Sequence, residues 1–211
     1  MLLLVDNSKL NKSIDKDQIS FTAKLKNALK ALSIPFVVFE AWKDEVKSLS
    51  IHKNLQGIIF SGSKVKLSKE LNHPIVEKNI EIIKKYSEIP ILGICFGCQV
   101  MTHYYHGVHM DIGNYFIEKL PIQIKEIELF ETWSMEDKKQ AQFYFSDYPE
   151  YSSSLHKKAI AWMKLDDTTL QCGWKYNKNH YGVLFHPEAM KSSYPILSQF
   201  AKLCFHSPSS S

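Results

Sequence analysis

Residues 2–5 form an apolar run closed by Asp6 and Asn7, and a run of that length bounded by turn-formers predicts a short buried strand. In the lysine-rich stretch that follows, Phe21, Leu25, Ala28, Leu29 and Leu32 recur at helical spacing. "PFVVFEA" from Pro35 and "GIIFSGS" from Gly57 are β-branched or aromatic and bounded by breakers, so each reads as a strand. Ile75, Ile80 and Ile83 predict a helix over residues 75–86, and residues 89–94 return to a strand. Strands alternating with helices need crossover connections, and crossovers make a parallel sheet.

The pattern changes after about residue 110. "PIQIKEIELF", "QAQFYFSDY", "AIAWMKL", "LQCGWKY" and "HYGVLFHP" are closely spaced strand candidates with few helical patterns among them, which predicts antiparallel strands at an edge or face. "NKN" reads as a hairpin tip, with Tyr176 and His180 flanking it as surface residues. A last helix is expected from Tyr194 to Phe205, before a disordered "SPSSS" tail. With no internal repeat and no linker rich in proline or glycine, residues 1–205 read as a single domain and 206–211 as a tail. The expected class is α/β: a mostly parallel central sheet flanked by helices, with additional antiparallel strands in the C-terminal half.

Composition narrows the possibilities. Hydrophobic residues at 45% and charged residues at 23% fit a soluble globular chain and exclude a disordered or fibrous one. The opening apolar run ends at Val5, too short for a signal-peptide core or a bilayer span. The four cysteines are therefore expected as reduced thiols in a cytoplasmic protein with no membrane partner. All 26 basic residues are lysine. Without guanidinium there is no bidentate clamp, so anionic ligands fall to backbone N–H groups, hydroxyls or the point charge of lysine. Those lysines alternate with acids, as in "KDEVK", which marks solvated helix faces and argues against a nucleic-acid partner despite the net charge of +4.

Chemistry concentrates in two places. "PILGICFGCQVM", residues 90–101, passes from a buried strand into a helix starting near Gly97, whose inward face carries Val100, Met101 and Tyr104. Glycines on either side of Cys95 allow the close backbone approach of a nucleophile elbow. The helix N-terminus beneath the sulfur favours a reactive thiolate. Far along the chain, "GVLFHPEAM" sets His186 and Glu188 two residues apart at a strand end, on one face of an extended backbone stiffened by Pro187. A cysteine nucleophile needs a base, and the base needs an acceptor to fix its tautomer. Cys95, His186 and Glu188 supply the three roles.

"GICFGCQ" matches a G-x-C-x-G-x-Q elbow and "FHPE" a His-x-Glu element, and with the N-terminal Asp-Asn and the Ser-Gly loop the chain resembles the class I, triad-type glutamine amidotransferases over roughly residues 2–200. The resemblance implies a flavodoxin-like sheet and a glutaminase reaction. Cys95 would attack the side-chain amide of glutamine, His186 would protonate the departing ammonia, and water would hydrolyse the glutamyl thioester. No cofactor or metal enters that chemistry. The ammonia would pass to a separate synthetase partner. The family's loop usually reads Ser-Gly-Gly-Pro, whereas this chain has Ser61-Gly62-Ser63-Lys64, so the Ser63 and Phe96 N–H groups would form the oxyanion hole. A positive φ at Ser63 would be strained, and losing one such donor typically costs about 10²–10³ in kcat. Gly62, Gln99 and His156 would lie near the substrate, although "SSLHKKAI" departs from the Ser-His-x-Asp common among relatives. The departures leave two further readings open: a free-standing hydrolase of γ-glutamyl bonds, and a binding or regulatory module with little catalysis.

Other motifs yield to plainer readings. His103, His106 and His109 are spaced by three, but only the first two share a helical face before Gly107 ends the helix, which disfavours a metal site. "SGSKVK" lacks Walker spacing. Cys98, one turn after Cys95, is expected to pack rather than to pair.

Overall fold

Four apolar runs in the N-terminal half become parallel strands: β1 (Leu2–Asp6), β2 (Phe36–Glu40), β3 (Gly57–Phe60) and β4 (Ile91–Ile94). Every residue of β1, β3 and β4 is buried, as expected of strands covered on both faces. This is a computed structural model, and it describes residues 1–8, 21–51, 54–108, 110–133 and 139–205. The crossovers carry α1 (Phe21–Ala31), α2 (Pro74–Lys85) and α3 (Phe96–His106). The start of α2 is fixed by His73, whose Nδ1 accepts from the Ile75 N–H at 3.2 Å, and by Pro74 in the first turn. Gly107 ends α3 in the left-handed conformation, φ 62°.

β9 (His180–Val183) pairs in parallel with β4, giving the order β2-β1-β3-β4-β9. This is the flavodoxin-like order, in which ligands gather outside the carboxyl ends of the strands. The antiparallel strands β8 (Thr168–Lys175), β7 (Ala159–Leu165), β5 (Met110–Ile124) and β6 (Gln140–Pro149) follow in that order and complete a nine-stranded mixed sheet among the described residues. α4 (Ser153–His156) lies between β6 and β7, and α5 (Tyr194–Phe205) is the expected last helix. β6, though last in the sheet, curls back toward β9: Phe143 bridges Phe185, and the His186 N–H donates to the Gln142 carbonyl at 2.8 Å. That return sets β6 over the carboxyl end of β9.

Two expectations are corrected. The strand expected to continue through Phe130 stops at Ile124, and residues 128–130 form a 3₁₀ turn that buries Leu129 and Phe130. The turn places the Glu128 carboxylate against the Lys175 ammonium and, at 2.5 Å, the Tyr181 hydroxyl. Tyr176 and His180 are buried rather than exposed. The hairpin between them turns on the Asn177 side chain, whose Oδ1 accepts from the N–H groups of Asn179 and His180, both at 2.9 Å. Tyr105 then stacks on Tyr176 with ring centroids 5.2 Å apart, while the Tyr176 hydroxyl donates to the Cys98 carbonyl at 3.1 Å. His180 Nε2 donates to the Ile89 carbonyl at 3.1 Å, and burial, the largest influence, lowers its pKa. The neutral ring therefore accepts from the Tyr105 hydroxyl at Nδ1. Residues 206–211 and His109 lie outside the described residues.

Candidate active site

At the carboxyl end of β4 the chain turns through Cys95 at φ 53°, ψ −107° and enters α3 at Phe96. A non-glycine residue held there costs on the order of 1–3 kcal/mol, so surrounding packing must impose it. The Cys95 N–H donates to the Val183 carbonyl at 2.8 Å, and the Cys95 carbonyl accepts from the Gln99 N–H at 3.0 Å, pinning the turn on both sides. The flanking glycines are required by contact. A β-carbon on Gly93 would lie 2.7 Å from the Cys98 nitrogen, and one on Gly97 would lie 2.5 Å from Phe60 Cβ. Cys95 is 5% exposed, and its sulfur lies 3.3 Å from the Tyr144 carbonyl oxygen of β6, to which the protonated thiol donates.

Beyond β9 the backbone carries His186 and Glu188 into the same region. His186 Nδ1 donates to Glu188 Oε1 at 2.8 Å, with both side chains almost fully buried. Burial, the largest single influence on the imidazole, pushes its pKa down. The charges of Glu188 and Cys95 and the hydrogen bond to Glu188 outweigh it and raise the value to about 10. Imidazolium is thus the resting form at neutral pH. Its Nε2 is buried and, among the described residues, has no hydrogen-bond partner within bonding geometry. Gly62 shows how close the two groups come: a β-carbon there would sit 3.2 Å from His186 Cε1 and 3.9 Å from Cys95 Sγ. Only glycine leaves that point open.

The loop at residues 61–63 is held from behind by β1 and α2. The Asn7 N–H donates to Ser61 Oγ at 2.9 Å, Asn7 Nδ2 to the Ser61 carbonyl at 3.1 Å, and Asn79 Nδ2 to Asn7 Oδ1 at 2.8 Å. The strain anticipated at Ser63 is absent. The described non-glycine residues with positive φ are Ser33, Cys95 and Asp166. Ser63 instead turns the chain with its own hydroxyl, whose oxygen accepts from the Val65 N–H at 3.2 Å. Phe96 is the first residue of α3, so its N–H has no intrahelical acceptor.

A cavity of about 30 Å³ opens beside Cys95, lined by Ser63, Lys64, Val65, Gln99 and residues 144–147. Gln99 Nε2 donates to the Asp147 carbonyl at 2.7 Å, and the Asp147 carboxylate accepts from the Ser68 N–H at 2.9 Å.

Among the residues singled out from sequence, Cys95, His186, Glu188, Gly62, Ser63, Phe96 and Gln99 converge here. His156 does not. It is exposed at the end of α4, where its Nδ1 accepts from Gln171 Nε2 at 2.5 Å and its ring faces Tyr151. Sequence reasoning missed Asp147, hidden in the alternation of β6, and Phe21, whose helical spacing reads as core. The Phe21 ring instead stacks on His186, with centroids 3.9 Å apart and planes 23° apart. Among the described residues no three His, Cys, Asp or Glu side chains are grouped to hold a metal.

The chain is 28% identical to the glutamine-hydrolyzing GMP synthase of Bacillus velezensis over 72% of its own length and 27% of the relative's, so it spans about a quarter of that protein. It is 26% identical to a subunit of the glutamine-hydrolyzing GMP synthase of Methanococcus maripaludis, over 87% of this chain and 92% of that one. Among solved structures, a glutamine amidotransferase from Thermotoga maritima superposes with a TM-score of 0.70 at 12% identity, covering 98% of each chain. The glutaminase domain of Trypanosoma brucei CTPS, with bound acivicin, gives 0.67 at 13% identity, covering 96% of this chain and 92% of that one. The family model for "Glutamine amidotransferase class-I" matches residues 14–202, nearly the whole sequence, and the chain belongs to that family.

Proposed function

We propose that this chain is a glutaminase that supplies ammonia to a separate synthetase partner. The observation that carries the reading is the buried His186–Glu188 pair beside the strained Cys95 turn, with Gly62 leaving the space between them open. In the proposed reaction the Cys95 thiolate attacks the side-chain amide carbon of glutamine, and the Ser63 and Phe96 N–H groups bind the developing oxyanion. His186, resting as imidazolium, gives the Nε2 proton to the departing nitrogen, and ammonia leaves behind a glutamyl thioester. The neutral imidazole then takes a proton from water, which attacks the thioester, and glutamate departs with the Cys95 thiolate restored. Glu188 keeps the tautomer that makes both transfers possible. Gly62 and Gln99 shape the substrate pocket, while His156 faces the partner side. Support for a synthetase comes from the GMP synthases among the relatives, one of them a subunit that this chain matches over 92% of its length.

The test is to incubate the pure protein with glutamine and with γ-glutamyl conjugates, measure glutamate released, and repeat with Cys95→Ala. Release from glutamine that the substitution abolishes is expected. Release mainly from conjugates would instead indicate a free-standing γ-glutamyl hydrolase. No release from either, with no labelling of Cys95 by a glutamine-like electrophile and no rescue by a synthetase, would leave only a binding role.

A further inference from the structure

We infer that Phe21 is a positioning residue for His186: its ring fixes the plane of the imidazole, so that Nδ1 meets Glu188 while Nε2 stays turned toward the reacting atoms. The inference rests on the reading of His186 as the acid and base of the proposed glutaminase. The Nδ1 hydrogen bond of 2.8 Å anchors one edge of the imidazole but leaves it free to rock about that bond. A ring lying against it at 3.9 Å and 23° removes that freedom. Tyr144 also packs against Phe21, with centroids 5.4 Å apart and planes tilted by 50°, and the same residue's carbonyl oxygen lies 3.3 Å from Cys95 Sγ.

Phe21 can act as a fixed wall because the start of α1 is itself tied down. Thr22 Oγ1 donates to Ser61 Oγ at 3.3 Å, Leu25 and Leu29 are fully buried, and Lys26 pairs with Asp6 at 2.7 Å. The helix carrying Phe21 is therefore joined to β1 and to the loop beside Cys95. An aromatic face also attracts a cation, most strongly in a desolvated setting, so the stack favours imidazolium over imidazole. Among the described residues, the ionisable groups around this pair are Glu188 on the same turn, Cys95 at the elbow, the Tyr144 phenol on β6, and Lys24, whose Nζ lies 5.0 Å from the Phe21 ring centroid. Lys64 and Asp147 lie farther round the cavity.

Histidine ring NMR of the native protein tests this without reference to turnover, with the His186 signal assigned by its loss in His186→Gln. The ring current of Phe21 is expected to shift His186 Hε1 upfield. In Phe21→Leu, which keeps an apolar cover, the signal should move downfield and the titration midpoint should fall by about half to one pH unit. The same variant should lower kcat with KM nearly unchanged, and Phe21→Tyr should restore both readouts. An unshifted Hε1 signal in native protein would overturn the inference, even if Phe21→Leu fails to fold. So would a Phe21→Leu protein with native midpoint and kcat. If native protein releases no glutamate yet shows the upfield signal and the Phe21-dependent midpoint, the glutaminase reading fails and the positioning of His186 by Phe21 stands.

Discussion

Substituting Gly97 with alanine perturbs the site through a distance that can be read directly. The new β-carbon would lie 2.5 Å from Phe60 Cβ and 2.8 Å from the Phe60 carbonyl oxygen, so the tighter contact falls 0.9 Å short of the 3.4 Å at which ordinary packing begins. Phe60 ends β3 immediately before Ser61, and Gly97 is the second residue of α3, so neither side can yield without moving the residue 61–63 loop or the turn at Cys95. Overpacking of this kind costs about 1–3 kcal/mol. A displacement near 1 Å between nucleophile and donors costs about 10² in rate. Gly97→Ala is therefore expected to lower kcat/KM for glutamine about 100-fold while the protein still folds. Steady-state glutamate release and urea denaturation measure the two effects. Gly107→Ala is the matched control: its φ of 62° is strained for alanine, but among the described residues no packing neighbour lies within 4 Å of the added carbon. It should lose on the order of 1–2 kcal/mol of stability and keep its rate. A native rate in Gly97→Ala, or an equal rate loss in Gly107→Ala, would refute the argument that close approach at Gly97 sets the catalytic geometry.

Three further outcomes follow from the same contacts. His186 has a folded pKa of about 10 against an ordinary value of 6.5, so its pairing with Glu188 stabilises the fold fully below 6.5, and that contribution is lost as pH rises through 10. Denaturation of native protein and Glu188→Gln across that range should show their stability gap narrowing with rising pH; a constant gap contradicts the charge assignment. Asn79→Ala removes the partner of Asn7 and leaves buried amide groups unpaired, which should cost about 1–3 kcal/mol and slow turnover through the residue 61–63 loop. Native turnover in that variant would show that the loop needs no support from α2. Ser63→Gly should leave the rate unchanged or lower it, because Ser63 adopts no left-handed conformation for glycine to relieve. A clear rise in kcat would count against that.

The elements whose signals are local were legible in the chain. The apolar runs of β1, β3 and β4 and the glycines around Cys95 each sit within a few residues, and period and breaker residues report them faithfully. His186 and Glu188 were legible for the same reason, as one strand end. Where tertiary contacts rather than a local pattern decided the outcome, the reading failed: a polar hairpin tip suggests that Tyr176 and His180 are exposed, yet α3 supplies partners for both, buried Thr102 for Tyr176 and half-buried Tyr105 for His180. His156 kept its place in a motif but not in the site, because α4 directs it to Gln171.

By itself the sequence determined the parallel order of strand and helix, the turn at Cys95 and the pairing of His186 with Glu188, since each is written in neighbouring residues. Tertiary structure alone decided that Gly62 lies against both Cys95 and His186, that Asn7 and Asn79 support the loop across 72 residues of chain, and that Phe21 leaves the helical core pattern to stack on His186. Those contacts join residues far apart in sequence. Their geometry is set by how the sheet and its crossover helices pack together, and no local period encodes it.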